Sequence, residues 1–157
     1  MLFIGPPGVG KSHLAQAVGN AAIRQDYTVL YRSVFDVARD FIKDEAMQGQ
    51  SRILQQYLKT DLLIIDDMGM KELPRQSGEH LMEVIMRRHG LKSTIMTSNH
   101  PLEDWGKLLG DNTTATAILD RFMESAEVIV IKGRSYRIRN QAACKGSSDQ
   151  GGADASA

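Results

Sequence analysis

The run Gly5-Pro6-Pro7-Gly8-Val9-Gly10-Lys11-Ser12 fits the pattern G-x-x-x-x-G-K-S, and that pattern restricts the chain to very few folds. Ahead of it stands the apolar Met1-Leu2-Phe3-Ile4, and behind it a helix-patterned stretch from His13 to Arg24. Glycines let the backbone turn its N–H groups toward an anion, while the helix that follows aims its positive dipole end at the same place. Polyphosphate is the expected guest. Lys11 would place a charged donor on the β and γ phosphates, and Ser12 would give its hydroxyl to the Mg²⁺ that bridges them. A chance match to four specified positions in a chain of this size has odds of about one per cent on average glycine usage.

A second motif follows at a suitable distance. Leu62-Leu63-Ile64-Ile65-Asp66-Asp67 is a buried-strand run that carries charge only at its carboxyl end, where α/β sheets open their ligand crevice. It looks like a Walker B strand, with Asp66 holding the metal and Asp67 polarising the attacking water. Taken alone, an acidic pair after a strand is also an ordinary turn or helix cap. Thr97-Ser98-Asn99 ends the next strand, and Asn99 has two readings, a contact to the γ-phosphate or a turn former.

Helical and strand periods alternate between and around these motifs, as expected of an α/β sheet. Leu14, Ala17, Val18, Ala21 and Ala22 make one helix face, and Val34, Val37, Ala38, Phe41 and Ile42 a second. Ile53, Leu54, Tyr57 and Leu58 form a short amphipathic stretch, and Leu81, Met82, Ile85 and Met86 mark a helix ending near Gly90. Thr28–Tyr31, Thr94–Thr97 and Val128–Ile131 read as strands, and Ala117-Ile118-Leu119 as part of a late helix. Trp105 reads as a packing anchor rather than a base-stacking platform.

Composition narrows the partners. The 157 residues suit one domain, 42% hydrophobic and 24% charged is an ordinary globular balance, and the longest apolar runs are strand-sized. With the loop starting at Gly5 no leader is expected, and the lone Cys144 fits a reducing compartment, so the expected location is cytoplasmic. Formal net charge is zero, so contact with nucleic acid must come from a local patch. One candidate is the run of Lys132, Arg134, Arg137, Arg139 and Lys145, which holds no acidic residue and is otherwise a solvated basic edge. Residues 144–157 lack apolar periodicity and are expected to form a disordered tail after a core over residues 1–143. No nuclease, zinc-finger or metal constellation accompanies His13, His80, His89 or His100.

These residues resemble the ATPase core of the IstB-like transposition helpers, relatives of the DnaC-type helicase loaders within the AAA+ class. The likeness rests on Gly5 to His13, Leu62 to Gly69, Ser93 to Asn99, Ala117 to Arg121 and Gly133 to Arg137, and so spans almost everything before the tail. It implies a P-loop three-layer α/β fold with a parallel sheet in the strand order 5-1-4-3-2. It further implies Asn99 as sensor 1, Arg121 as an arginine finger reaching a neighbouring subunit's γ-phosphate, and Arg137 as a sensor 2 arginine acting in its own subunit. The phosphate contacts would fall to Gly5, Pro6, Pro7, Gly8, Val9, Gly10, Lys11, Ser12 and His13, and the metal to Ser12 and Asp66. Without the likeness, each of the two arginines reads as a surface ion pair.

The partners so implied are DNA, a transposase or a replicative helicase, and further copies of the chain. The segment Ser33 to Lys59 holds two helical patterns where a minimal core needs one, and in loaders and initiators such an insertion touches DNA; its mixed charge here argues against strong backbone binding. Asp67 stands where many AAA+ ATPases carry glutamate, which suggests slow hydrolysis. These helpers normally carry a domain ahead of the loop, so the chain reads as an N-terminally truncated copy. Three functions stay open: an ATP-hydrolysing transposition helper, a helicase loader, and a nucleotide-binding regulatory module without productive turnover.

Overall fold

A computed structural model describes residues 1–46, 52–68, 75–105 and 120–137. Five strands form one sheet: β1 (Leu2–Ile4), β2 (Val29–Ser33), β3 (Leu62–Met68), β4 (Ser93–Ser98) and β5 (Val128–Val130). They run parallel in the order β2-β3-β4-β1-β5, which is the expected order read from the other edge. Helices α1 (Lys11–Ile23), α2 (Val34–Ala46), α3 (Arg52–Lys59) and α4 (Arg75–Arg88) make the connections, and a further helical stretch spans 120–125. The proposed tail and residues 117–119 of the late helix lie outside the described residues.

Both faces of the sheet are covered, which is why β3 reads as an unbroken apolar run. Successive side chains point to opposite faces. Leu63 and Ile65 join Leu2, Leu30, Met96, Val37, Phe41, Tyr57, Leu81 and Trp105 in the larger core, on the side of α2, α3 and α4. Leu62 and Ile64 join Phe3, Ala15 and Ile95 on the side of α1. Trp105 is buried at 1% exposure and points its indole N–H at Ser98 Oγ, as suits a packing anchor with a satisfied polar tip.

The apolar pattern misassigns the face of α1. Leu14, Ala17, Val18 and Ala21 are exposed, and the residues turned to the sheet are Lys11, Ala15 and Gly19, with Ala22 half-buried. Two adjacent stripes of the helix surface were available, and the glycine loop chose between them. It fixes the rotation of α1 by holding Lys11 and Ser12 toward the strand ends, so the stripe of small residues faces inward whatever its hydrophobicity. Gly19 makes the close approach possible, because a Cβ there would lie 2.9 Å from Ile64 Cδ1. In the other helices the apolar faces are largely as expected, with Ile42 and Met86 left exposed at their margins.

Helix α2 begins with a reciprocal cap. Ser33 Oγ accepts the Asp36 N–H at 3.2 Å, and Asp36 Oδ2 accepts from the Ser33 N–H at 3.2 Å and from its hydroxyl at 2.7 Å. These bonds hold the Asp36 carboxyl below its ordinary range. Across α2 and α3, Asp40 takes the Tyr57 hydroxyl at 2.9 Å and Arg32 Nε at 3.1 Å.

The amino ends of β3 and β4 are joined by one side chain that sequence reasoning did not single out. Arg88, at 1% exposure, donates to the carbonyls of Tyr57 (2.6 Å), Thr60 (2.7 Å), Asp61 (3.4 Å) and Ser93 (2.6 Å) and to Thr94 Oγ1 (3.1 Å). The first two acceptors lie at the end of α3, where helical carbonyls lack partners of their own. Burial lowers the Arg88 pKa to about 10, which still leaves it charged at neutral pH. Arg88→Leu should destabilise the fold by more than about 3 kcal/mol, since several buried carbonyls lose their donor at about 1–3 kcal/mol each. Arg88→Lys should recover only part, because one ammonium cannot span all five acceptors. Urea unfolding checks both, and a leucine variant within 1 kcal/mol of the parent would contradict the staple.

Candidate nucleotide and metal site

The carboxyl ends of the parallel strands open on one edge, and the glycine loop lies across it. The Gly5 N–H donates to the Ser98 carbonyl at 3.2 Å, which ties the loop's start to the end of β4 and sets Asn99, the next residue, beside it. Gly8 and Gly10 have φ of 80° and 98°, a region that side chains rarely adopt, and these turns lead the chain into α1. That helix has no side-chain cap at its amino end and no acidic residue in its first turn, so its first amides stay available to an anion.

Lys11 is 5% exposed and folds its ammonium onto the carbonyls of Gly5 at 2.8 Å and Pro6 at 2.9 Å. Burial lowers its pKa; the carboxylates of Asp67 and Asp66 oppose the shift, and the charge of Arg137 adds to it. Ser12 Oγ donates to Asp66 Oδ1 at 3.0 Å, so a hydroxyl and a carboxylate meet as hard oxygen donors next to the loop. The donor set and the uncapped helix fit Mg²⁺ and polyphosphate respectively.

Asp67 differs from its neighbour. A register shift between Ile65 and Met68 interrupts the β3–β4 pairing, and Asp67 sits in it with φ of 60°, its N–H donating to Thr97 Oγ1 at 3.1 Å. The bulge turns its half-buried side chain away from the strand's alternation. Desolvation raises its pKa, and the nearby Asp66 charge raises it further.

A strap from the carboxyl end covers the loop. The Ile131 N–H donates to the Ile4 carbonyl at 2.7 Å and the Tyr136 N–H to the Gly8 carbonyl at 2.9 Å. Ser135 lies so close that a Cβ on Gly8 would stand 2.1 Å from its Oγ. The strap delivers Arg137, whose charge acts on Lys11 and Asp67. Lys11, Ser12, Asp66, Asp67 and Arg137 are thus brought together, with Asn99 at the adjoining strand end. His13 is exposed on the first turn of α1. Arg121 is exposed on the helical stretch 120–125, paired with Glu124 at 3.6 Å and sharing a shallow surface with Met86.

Sequence reasoning missed the hydroxyls around Asp66. Thr97 Oγ1 donates to Asp66 Oδ1 and the Tyr31 hydroxyl to Asp66 Oδ2. Their one signal is parity: Tyr31 and Thr97 alternate onto the same face of the sheet as Ile64. A cavity of about 700 Å³ opens at the opposite end of the strands, lined by Met1, Leu91, Ser93 and Arg88. Its buried guanidinium is already bonded to protein oxygens, so it offers no comparable cradle for an anion.

A parallel five-stranded sheet whose loop, metal-type donors and paired carboxylates share one edge is the fold of the AAA+ class of P-loop ATPases. The particular family follows from comparison: residues 1–144 match the IstB-like ATP binding proteins, and the chain belongs to that family. It is 36% identical over 141 residues to a protein of Geobacillus stearothermophilus named for ATP binding in insertion sequence IS5376, covering 90% of this chain and 56% of that one. It is 43% identical over 144 residues to the insertion sequence ATP-binding protein y4pL of Sinorhizobium fredii, covering 90% and 57%. The chain thus spans little more than half the length of these relatives. Among solved structures it is similar to the DnaC helicase loader, with a TM-score of 0.71 and 27% identity over 84% of this chain and 77% of that one. AMPPCP-bound DnaA from Aquifex aeolicus shares the fold, with a TM-score of 0.73 and 21% identity over 92% and 45%.

Asp67→Asn should raise thermal stability at neutral pH. A carboxyl whose pKa is raised by folding binds its proton more tightly in the folded chain, so ionisation weakens the fold as pH rises. Asparagine removes that cost and tolerates the positive φ. The gain should open above about pH 4, where the unfolded carboxyl ionises, and vanish in more acid solution. Melting curves of both forms at neutral and acid pH check it; no gain at neutral pH would contradict the placement of Asp67.

Proposed function

We propose that this chain is the ATPase core of a DNA transposition helper, which binds ATP with Mg²⁺, assembles with copies of itself on DNA and signals to a transposase. The observation that carries the chemistry is the meeting of the Ser12–Asp66 pair, Lys11 and Asp67 beneath one glycine loop. The insertion-sequence names of the relatives support the choice of partner.

In this reading the loop amides and Lys11 hold the polyphosphate, with Pro6, Pro7, Val9 and His13 shaping the cradle. Ser12 and Asp66 would hold Mg²⁺, which when bound supplies neutralisation of phosphate charge. Asp67 orients the attacking water and draws on its proton, and its raised pKa brings it nearer the working range of a general base. Asn99 adds a neutral hydrogen bond from the end of β4. Arg137 acts on nucleotide in its own subunit, while the exposed Arg121 completes the site of a neighbour. The insertion is a weak candidate for DNA contact, since its Arg39 already pairs with Asp36 at 3.6 Å.

A second reading, a helicase loader, is favoured by the likeness to DnaC and differs in the partner addressed. Pull-down of the chain with a transposase or a replicative helicase separates the two.

Lys11→Ala should weaken binding of a fluorescent ATP analogue at least about tenfold, the loss of a charge-assisted contact of about 1.5–3 kcal/mol. Equal affinity would sink the site. An arginine supplied in trans contributes about 10³–10⁵ in rate, so activity should rise faster than linearly with protein concentration. Lys11→Ala and Arg121→Ala should each be nearly inactive, and their mixture should recover hydrolysis. A parent whose specific activity is flat with concentration and which tolerates Arg121→Ala would overturn the assembling mechanism.

A further inference from the structure

Asp66 is 4% exposed and its carboxylate is gripped from both neighbouring strands by hydroxyls that the proposed chemistry does not use. Tyr31 on β2 donates to Oδ2 and Thr97 on β4 to Oδ1, while Ser12 on α1 shares Oδ1 at 3.0 Å. The sheet puts these groups together by register and parity. Tyr31 pairs with Ile64 on β3 and Ser33 with Asp66, so Tyr31 reaches Asp66 diagonally along one face. Thr97 falls on that face with Ile95 from the other side. Thr97 does double duty, because its Oγ1 also accepts the Asp67 N–H at 3.1 Å inside the bulge.

Hydroxyls orient a carboxylate without cancelling its charge, as a lysine or arginine would. A carboxylate offers about four lone-pair directions, and Tyr31 and Thr97 occupy two of them on different oxygens. We propose that Tyr31 and Thr97 are positioning residues for the metal-binding carboxylate: together they fix the plane of Asp66 so that one edge faces Ser12, and Thr97 couples that setting to the backbone of Asp67. The inference rests on the reading of Ser12 and Asp66 as the Mg²⁺ donors. Residues that orient a metal ligand commonly change metal affinity by about 10–100-fold when removed.

The test uses the full chain with fluorescent ADP and Mg²⁺, in four forms: parent, Tyr31→Phe, Thr97→Val and Thr97→Ser. Mg²⁺ titration of the ADP complex, repeated with Mn²⁺ followed by electron paramagnetic resonance, reads metal affinity without any turnover. Tyr31→Phe and Thr97→Val should each raise the half-saturating metal concentration about tenfold, with ADP affinity in the absence of metal unchanged. Thr97→Ser, which keeps the hydroxyl, should match the parent. Parental metal affinity in both Tyr31→Phe and Thr97→Val would overturn the inference, and so would an equal loss of metal-free ADP affinity, which marks a merely structural role. A parent that binds no ADP with or without metal would overturn the nucleotide reading itself, and the inference with it, a result distinct from parent-like variants.

Discussion

Asp66 and Lys11 are opposite charges held almost out of water at one edge of the sheet, at 4% and 5% exposure. An ion buried without compensation is costly, so the surroundings must supply polar partners. The chain meets that demand with neutral groups: three hydroxyls around Asp66 and two loop carbonyls under Lys11. None of these partners cancels the charge it holds. The ammonium and the carboxylate therefore keep their charge, as the proposed contacts to phosphate and Mg²⁺ require, and much of the surrounding structure serves to deliver those partners. β2 supplies Tyr31, β4 supplies Thr97, and the glycine loop sets the rotation of α1 so that Lys11 and Ser12 point inward.

The two ends of the sheet solve opposite problems. At the amino ends of the strands Arg88 is bonded to five protein oxygens from α3, the turn that leads into β3, and β4, so its charge is used up in holding elements together. At the carboxyl ends the charges are braced but not used up. Parallel strands make this division natural, because each strand contributes its last residues to one edge and its first to the other.

The strap over the glycine loop links the site to the carboxyl-terminal part of the described chain. Its backbone bonds to Ile4 and Gly8 fix it to β1 and to the loop, and Arg137 rides on it. Arg121 stands apart from this cluster on an exposed helical stretch, which is a sensible place for a side chain whose proposed target lies on another subunit.

The sequence alone determined the glycine loop, the apolar strand ending in Asp66 and Asp67, and the alternation of strands and helices. Each is local: a motif, a run or a period within a few residues. The strand order came with the family resemblance to the same motifs. What the tertiary structure decided is what depends on two distant segments meeting. The apolar count on α1 favoured the stripe of Leu14 and Val18, but the loop's geometry turned Ala15 and Gly19 inward instead. Arg88 read as an ordinary basic residue in a last helical turn until the ends of α3, β3 and β4 closed around it. Tyr31 and Thr97 read as plain strand residues, and only the register of β2 and β4 against β3 set their hydroxyls on Asp66, because hydrogen bonds across a sheet are fixed by pairing and not by spacing along the chain.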